Sequence, residues 1–362
     1  MNKAYVLVIN PGSTSTKVAI FDNESMVHEK KLEHATEDLK QFDRLADQFD
    51  YRKQLVEAWI KERNINVQDL RAVVGRGGLL RPIPGGTYCV TEAMINDLKV
   101  GYQGEHASNL GGIIAKAIAD EAGTKAFIVD PVAVDEFEEV ARISGMPDLE
   151  RKSLGHALNI KAVARRAAEE MKKTFYEINL VVAHLGGGIT VAPILEGRAV
   201  DYNNANEMGP FSPERAGGVP AGDLMRMCYS GDYDQKEMMN KLRGHGGLTA
   251  YLGTNDVREV EKQIEAGNEK AKLVYEAMAY QIAKEIGAMA TVLKGNMEAI
   301  IITGGMAHSE KLMETIKGYI DFMAPVMVYP GEDEMLALNE GVLRVLRDEE
   351  KPKIYENEVE II

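Results

Sequence analysis

The feature that most constrains the fold is a strand, turn and strand plan that occurs twice. Tyr5 to Ile9 is a β-branched run, Asn10 to Ser15 is a turn of Asn, Pro, Gly and hydroxyl residues, and Lys17 to Phe21 is strand-like again. About 175 residues later, Leu180 to Ala183 and Ile189 to Ile194 flank the glycine-rich turn His184 to Gly188. A third strand follows each hairpin, near Met26 to Lys31 and at Arg198 to Tyr202. A repeat of this length is too long for a solenoid and implies two similar lobes. Helical periodicity follows in both halves, over Leu39 to Arg63, Thr91 to Leu98 and His106 to Glu121, then Lys236 to Leu242, Asp256 to Ala266, Glu269 to Leu293 and Met335 to Arg347. Further strand runs are Arg71 to Val74, Ala126 to Val129, Ala299 to Thr303 and Val326 to Tyr329. The pattern predicts an α/β fold with mixed sheets covered on both faces and a ligand cleft between the lobes. The breaker cluster Ser144-Gly145-Met146-Pro147 puts the boundary near 150–155.

Composition removes several classes. The chain has 362 residues, 45% apolar and 27% charged, enough for a sizeable core. Lys and Arg number 42 against 56 Asp and Glu, and the resulting charge of −14 opposes binding to a nucleic-acid backbone. Cys89 and Cys228 stand in no metal or disulfide spacing, which predicts a reducing cytoplasm. The apolar run Ala4 to Ile9 is too short for a signal-peptide core, and no run reaches the roughly 18 apolar residues of a membrane span.

Two turns point to phosphate. Asn10-Pro11-Gly12-Ser13-Thr14-Ser15-Thr16-Lys17 places short hydroxyls, including Ser13 and Ser15, open backbone and the Lys17 cation between two strands. Lys17 enters a strand, so this is not the helix-forming P-loop. In the second half, Gly186, Gly187 and Gly188 follow His184 and remove every side chain from the turn. One such hairpin per lobe resembles the actin, hexokinase and Hsp70 superfamily, which uses ATP. That resemblance implies duplicated actin-like ATPase (ribonuclease H-like) domains, with residues 1–152 as the N-terminal domain, joined by a C-terminal helix of 335–362, and 153–334 as the nucleotide-binding domain. It also implies that Gly304 and Gly305, after the strand Ala299 to Thr303, pack against the adenosine.

Ten segments in order, VINPGSTSTK, GRGGLLRPIPGG, GEHASNLGG, FIVDPVAVDEF, SLGHALNIKAVARRAA, HLGGGI, MGPFSPERAGG, GGLTAYLGTNDVREV, IIITGG and ALNEG, resemble the acetate and butyrate kinase family from Val6 to about Arg347. The family's reaction joins ATP and a carboxylate to make an acyl phosphate and ADP. A carboxylate is already ionised at neutral pH, so no strong base is required, and cations and a metal must offset the repulsion between two anions. On that logic Arg76 and Arg215, both in Gly/Pro-rich turns, hold the carboxylate and the transferring phosphoryl group. The resemblance implies Asp130 as the essential aspartate, Glu340 and Asp130 as carboxylates for Mg²⁺, and His156, His184 and His106 as histidines near the phosphoryl group. Asn10 and Lys17 belong by motif to nucleotide binding, as do Asp256 and Arg258 on the adenosine side.

Gly75 and Gly155 stand where acetate kinases carry bulkier side chains, which predicts room for a four-carbon acid. The same glycines could equally serve the backbone alone. The expected enzyme is a cytoplasmic butyrate-type kinase that self-associates as a dimer or higher, with ATP/ADP, Mg²⁺, a carboxylate and an acyl phosphate as its small molecules. Lobe closure about hinges near 150–155 and before the last helix would exclude water. Two rivals share the fold: a sugar or polyol kinase with Asp130 as base, and an ATP-binding switch of the actin and Hsp70 type.

Overall fold

The computed structural model describes residues 4–359. They divide into two compact units, one running to Asp135 and resuming at Asp333, the other spanning Glu136–Glu332. The first unit carries β1 (Tyr5–Pro11), β2 (Ser15–Asp22), β3 (Ser25–Glu33), β4 (Leu70–Arg76), β5 (Thr87–Cys89) and β6 (Lys125–Val129). The second carries β7 (Asn179–Leu185), β8 (Ile189–Leu195), β9 (Arg198–Ala199), β10 (Ala299–Gly304) and β11 (Val326–Pro330), after which β12 (Lys353–Ile354) returns to the first.

In the first unit the strand order is β12-β5-β6-β4-β1-β2-β3. β1 and β2 form the expected hairpin, with Asn10 opposite Lys17, while β1, β4 and β6 run parallel. Ile9 pairs with Gly75, and Arg76 with Val129. The register therefore sets Asn10, Arg76 and Asp130 on one edge, at the carboxyl ends of three neighbouring strands. Val6 to Ile9 are buried, as the unbroken apolar run requires of a central strand. The helix Asn109–Ala122 lies close against β4, because a side chain on Gly75 would collide with the Gly111 backbone. The helix Glu334–Leu346 packs across β1, β4 and β6.

The second unit orders its strands β11-β10-β7-β8-β9, with β7, β10 and β11 parallel and β7 and β8 a hairpin. The 24-residue helix Glu269–Val292 packs on β7 and β8, burying Val274, Met278, Ile282 and Ile286 at helical spacing. The helix Ala157–Glu170 packs on β7 and β10.

Several expectations need correction. The units divide at Asp135/Glu136, not at 152/153, because Glu136 is already tied into the second unit. Its carboxylate pairs with Lys161 at 2.8 Å and accepts the Ala199 N–H at 2.8 Å, while Phe137 meets the Tyr202 ring edge-on at 4.9 Å. The expected helix 335–362 ends at Leu346 and gives way to β12 and a single 3₁₀ turn, Tyr355–Asn357; residues 360–362 lie outside the described residues. The helical stretch 39–63 is broken into Thr36–Leu39, a 3₁₀ turn at Leu45–Gln48 and Phe49–Glu62. Among the described residues no helix is long and apolar enough to cross a membrane.

Candidate functional site

The carboxyl-end edge of the first unit gathers charge. The Asn10 side-chain amide donates to Glu334 Oε2 at 2.6 Å, and the Arg76 guanidinium pairs with the other oxygen of the same carboxylate. Glu334 opens the last long helix, so one acid links two sequence-predicted residues from different strands. Asp130 follows β6 in the left-handed region at φ +36°, a conformation that costs a non-glycine residue about 1–3 kcal/mol. It is 3% exposed; its Oδ1 accepts the Gly86 N–H at 2.7 Å, and its own N–H donates to the Gly86 carbonyl at 3.0 Å. These two bonds fix the strained residue in place. His106 Nδ1 accepts the Ser108 N–H at 3.2 Å, which leaves the ring proton on Nε2 in the neutral form. Burial, and then the Arg76 charge, hold its pKa below the ordinary histidine value.

Ser13 is exposed in the turn, Ser15 is buried, and Lys17 is exposed beside Asn10 across the hairpin. Glu340 is half-buried and lies six residues beyond Glu334, about 9 Å further along the helix. The acid beside Asn10 and Arg76 is Glu334, which sequence reading did not single out. Its only signal there is the run Glu332-Asp333-Glu334, which reads as the acidic first turn of a helix.

In the second unit His184, the next-to-last residue of β7, stands opposite Thr190. Its Nδ1 lies 2.8 Å from Asn159 Oδ1, while its buried Nε2 lies 3.1 Å from the Glu332 carboxylate without an aligned hydrogen bond. His156 stacks on His184 with ring centroids 4.0 Å apart, and its Nδ1 lies 2.9 Å from Thr190 Oγ1. Two of the three glycines explain themselves here. A side chain on Gly188 would collide with the Arg215 guanidinium, and one on Gly186 would meet Glu332 Oε1 at 2.8 Å and His184 Nε2 at 3.0 Å. Arg215 thus lies flat on the turn, its Nη1 donating to the Ala205 carbonyl at 3.1 Å. Burial, aided by the Arg243 charge, pulls its pKa below the usual arginine range. Ser212 Oγ donates to the Gly187 carbonyl at 2.6 Å and steadies the turn from below.

Beside this turn opens a cavity of about 880 Å³, lined by Gly186, Gly187, Asp256, Arg258, Gly305 and Lys311 among others. Five residues expected at the nucleotide therefore share one concave space, of a size that suits a small-molecule ligand. Gly305 leaves its wall open, since a side chain there would meet nothing within 4 Å. Gly304 instead answers to the backbone, because at φ +96° it passes the Leu185 main chain too closely for any side chain. Asp256 caps the helix Val257–Glu265 by accepting the Arg258 N–H at 2.9 Å, and its pairing with the Arg258 guanidinium holds its pKa down at about 2.

The size argument loses both of its supports. The space given up at Gly75 is taken by the Gly111 backbone, and a side chain at Gly155 would meet the Tyr202 ring at 2.8 Å and the Thr190 methyl at 3.1 Å. Both glycines serve close packing and open no pocket. Among the described residues no cluster of three or more His, Cys, Asp or Glu is arranged for a metal. Mg²⁺ needs only one or two carboxylates when phosphates and water complete its shell, and the buried Asp130 after β6 and Glu334, which opens the last long helix beside Asn10 and Arg76, suit that chemistry.

Comparison with known proteins places this arrangement. A model described as the acetokinase family matches residues 150–324. A curated protein of Caldanaerobacter subterraneus subsp. tengcongensis named probable butyrate kinase 2 is 56% identical over 350 residues, covering 97% of this chain and 99% of its own length. The chain belongs to the acetokinase family. The acetate kinase of Porphyromonas gingivalis superposes with a TM-score of 0.78 at 18% identity, over 95% of this chain and 100% of that one. A propionate kinase of Francisella tularensis subsp. tularensis gives 0.72 at 16%, over 93% and 98%. The fold is the duplicated actin-like ATPase fold expected from the paired hairpins.

Proposed function

We propose that the chain phosphorylates a short-chain fatty acid with ATP, butyrate + ATP = butyryl phosphate + ADP, reversibly and by direct in-line transfer. The observation that carries this reading is the near full-length likeness to the butyrate kinase named above. The side chains fit the chemistry. The acid is ionised at neutral pH, so the site needs cations and aligned donors more than a base. Arg76 and Arg215 hold the carboxylate and the transferring phosphoryl group. Glu334 keeps the Arg76 guanidinium in place until an anion takes its share of it. His156, whose Nδ1 is braced by Thr190, donates to phosphate oxygens, and His184, held by its Nδ1–H on Asn159 Oδ1, stacks behind it. The turns offer the backbone N–H groups of Ser13 and Thr14 and of Gly187 and Gly188 to the polyphosphate, with Lys17 as a point charge. Asp256, Arg258 and Gly305 line the adenosine side.

Mg²⁺ would be held by Asp130 and Glu334, in preference to Glu340, and would neutralise charge on the β- and γ-phosphates. The enzyme works in the cytoplasm as a homo-oligomer; both cysteines are free thiols, as a reducing compartment allows. The helix Glu269–Val292 contributes most of its apolar residues to the core, which leaves Leu273, Tyr280 and Val292 as its exposed large apolar side chains for self-association. Light scattering tests the copy number. Hydroxylamine trapping of the acyl phosphate, with kcat/KM for acetate, propionate, butyrate, isobutyrate and valerate, tests the reaction. Butyrate should give the largest value, and a failure to form any hydroxamate would refute carboxyl transfer in favour of a hydroxyl acceptor.

A further inference from the structure

The turn between β1 and β2 is built around a buried arginine. Arg52, on the helix Phe49–Glu62, has 0% exposure. Its Nη1 donates to the Gly12 carbonyl at 2.8 Å, the Ser15 carbonyl at 3.2 Å and Thr16 Oγ1 at 3.1 Å. Its Nη2 donates to the Ser13 carbonyl at 3.1 Å, and Nη2 and Nε both reach Gln48 Oε1, at 2.8 and 3.0 Å. The Thr14 carbonyl accepts the His34 N–H at 2.9 Å. All four carbonyls from Gly12 to Ser15 are therefore engaged from within. Ser13 and Thr14 are exposed, and among the described residues their backbone N–H groups have no acceptor. The turn has its acceptors inward and its donors outward, which is the polarity an anion needs.

The charge of Arg52 is also uncompensated. Every acceptor it uses is neutral, and among the described residues no acid forms an ion pair with it. Burial pulls its pKa down to about 10, so it stays cationic at neutral pH. A buried cation without a counter-charge is expensive unless something anionic sits close by.

We propose that Arg52 is the positioning residue of this turn, aiming the N–H groups of Ser13 and Thr14 at a polyphosphate whose charge balances its own. The inference rests on the nucleotide reading above. It is tested in the full chain with Arg52→Lys and Arg52→Ala, after the fold of each is checked by circular dichroism and melting without ligand. In Arg52→Ala the Kd for ADP and the KM for ATP should rise at least about tenfold, with the carboxylate KM within about twofold of the parent. Arg52→Lys should fall between, and added guanidinium should restore nucleotide affinity to Arg52→Ala. If Arg52→Ala does not fold, Arg52→Lys decides, since lysine keeps the charge but cannot span the same acceptors. Unchanged nucleotide affinity in a folded variant, or a carboxylate KM raised by the same factor, overturns the proposal. A parent protein that binds ADP but makes no acyl phosphate would sink the carboxylate kinase reading and leave the Arg52 prediction standing.

Discussion

The proposed transfer would make its heaviest demands on two arginines. Arg215→Ala and Arg76→Ala should each lower kcat by about 10²–10³, the usual loss when a donor to a developing charge is removed, with ADP affinity by calorimetry largely kept. Near-parent turnover in both would remove their assignment. Glu334 and Glu340 separate by metal dependence: Glu334→Gln should raise the Mg²⁺ concentration needed for half-maximal rate, while Glu340→Gln should leave it near the parent value. His34 supplies a pH prediction. Burial, and then the Arg52 charge, depress its pKa to about 4, against an ordinary histidine value near 6.5. Between those values the unfolded chain binds a proton that the folded one refuses, so stability falls as pH drops from about 6.5 toward 4 and is unaffected above that window. The melting temperature should show this slope, and His34→Gln should flatten it. Motif residues such as Asn10, Lys17 and the three glycines were legible in the sequence because their types stand out in a turn. Arg52 and Glu334 were not, since an arginine on a helix and an acid at a helix start read as ordinary surface until tertiary packing buries one and pairs the other.

Strands and helices were legible where one period dominates. The β-branched runs of β1, β4, β7 and β10 declare buried strands, and the helix Glu269–Val292 matches its predicted span to within one residue. β5 and β12 escaped notice because they are 3 and 2 residues long, too short to show alternation. The stretch before Phe49 keeps a helical composition, yet breaks because Arg44 turns away to bond Glu105 and the Lys99 carbonyl. The glycines on the elements were seen, but their meaning depends on what faces them. Gly75→Ala should destabilise the chain by about 1–3 kcal/mol or more, as overpacking against a rigid backbone does, measured by denaturant unfolding. Gly155→Ala should likewise lower stability without changing the order of preference among acids; a shift toward acetate would restore the pocket reading.

The division of the whole molecule was half legible: duplication predicted two units, but the boundary depended on Glu136 pairing with Lys161, a contact that no breaker cluster announces. The first unit is completed only by the returning helix Glu334–Leu346, whose Leu338 is wholly buried. Leu338→Ala should cost about 2–5 kcal/mol, and hydrogen exchange should show protection lost in β1, β4 and β6 while β10 keeps its own. This split of the chain also orders its birth on the ribosome. β1 to β6 are made before the segment from Asp333 that their unit needs, so Glu136–Glu332 can settle while the other unit is still unfinished. Nascent chains should therefore leave bare the face of β1, β4 and β6 that the helix Glu334–Leu346 covers until that helix has been made.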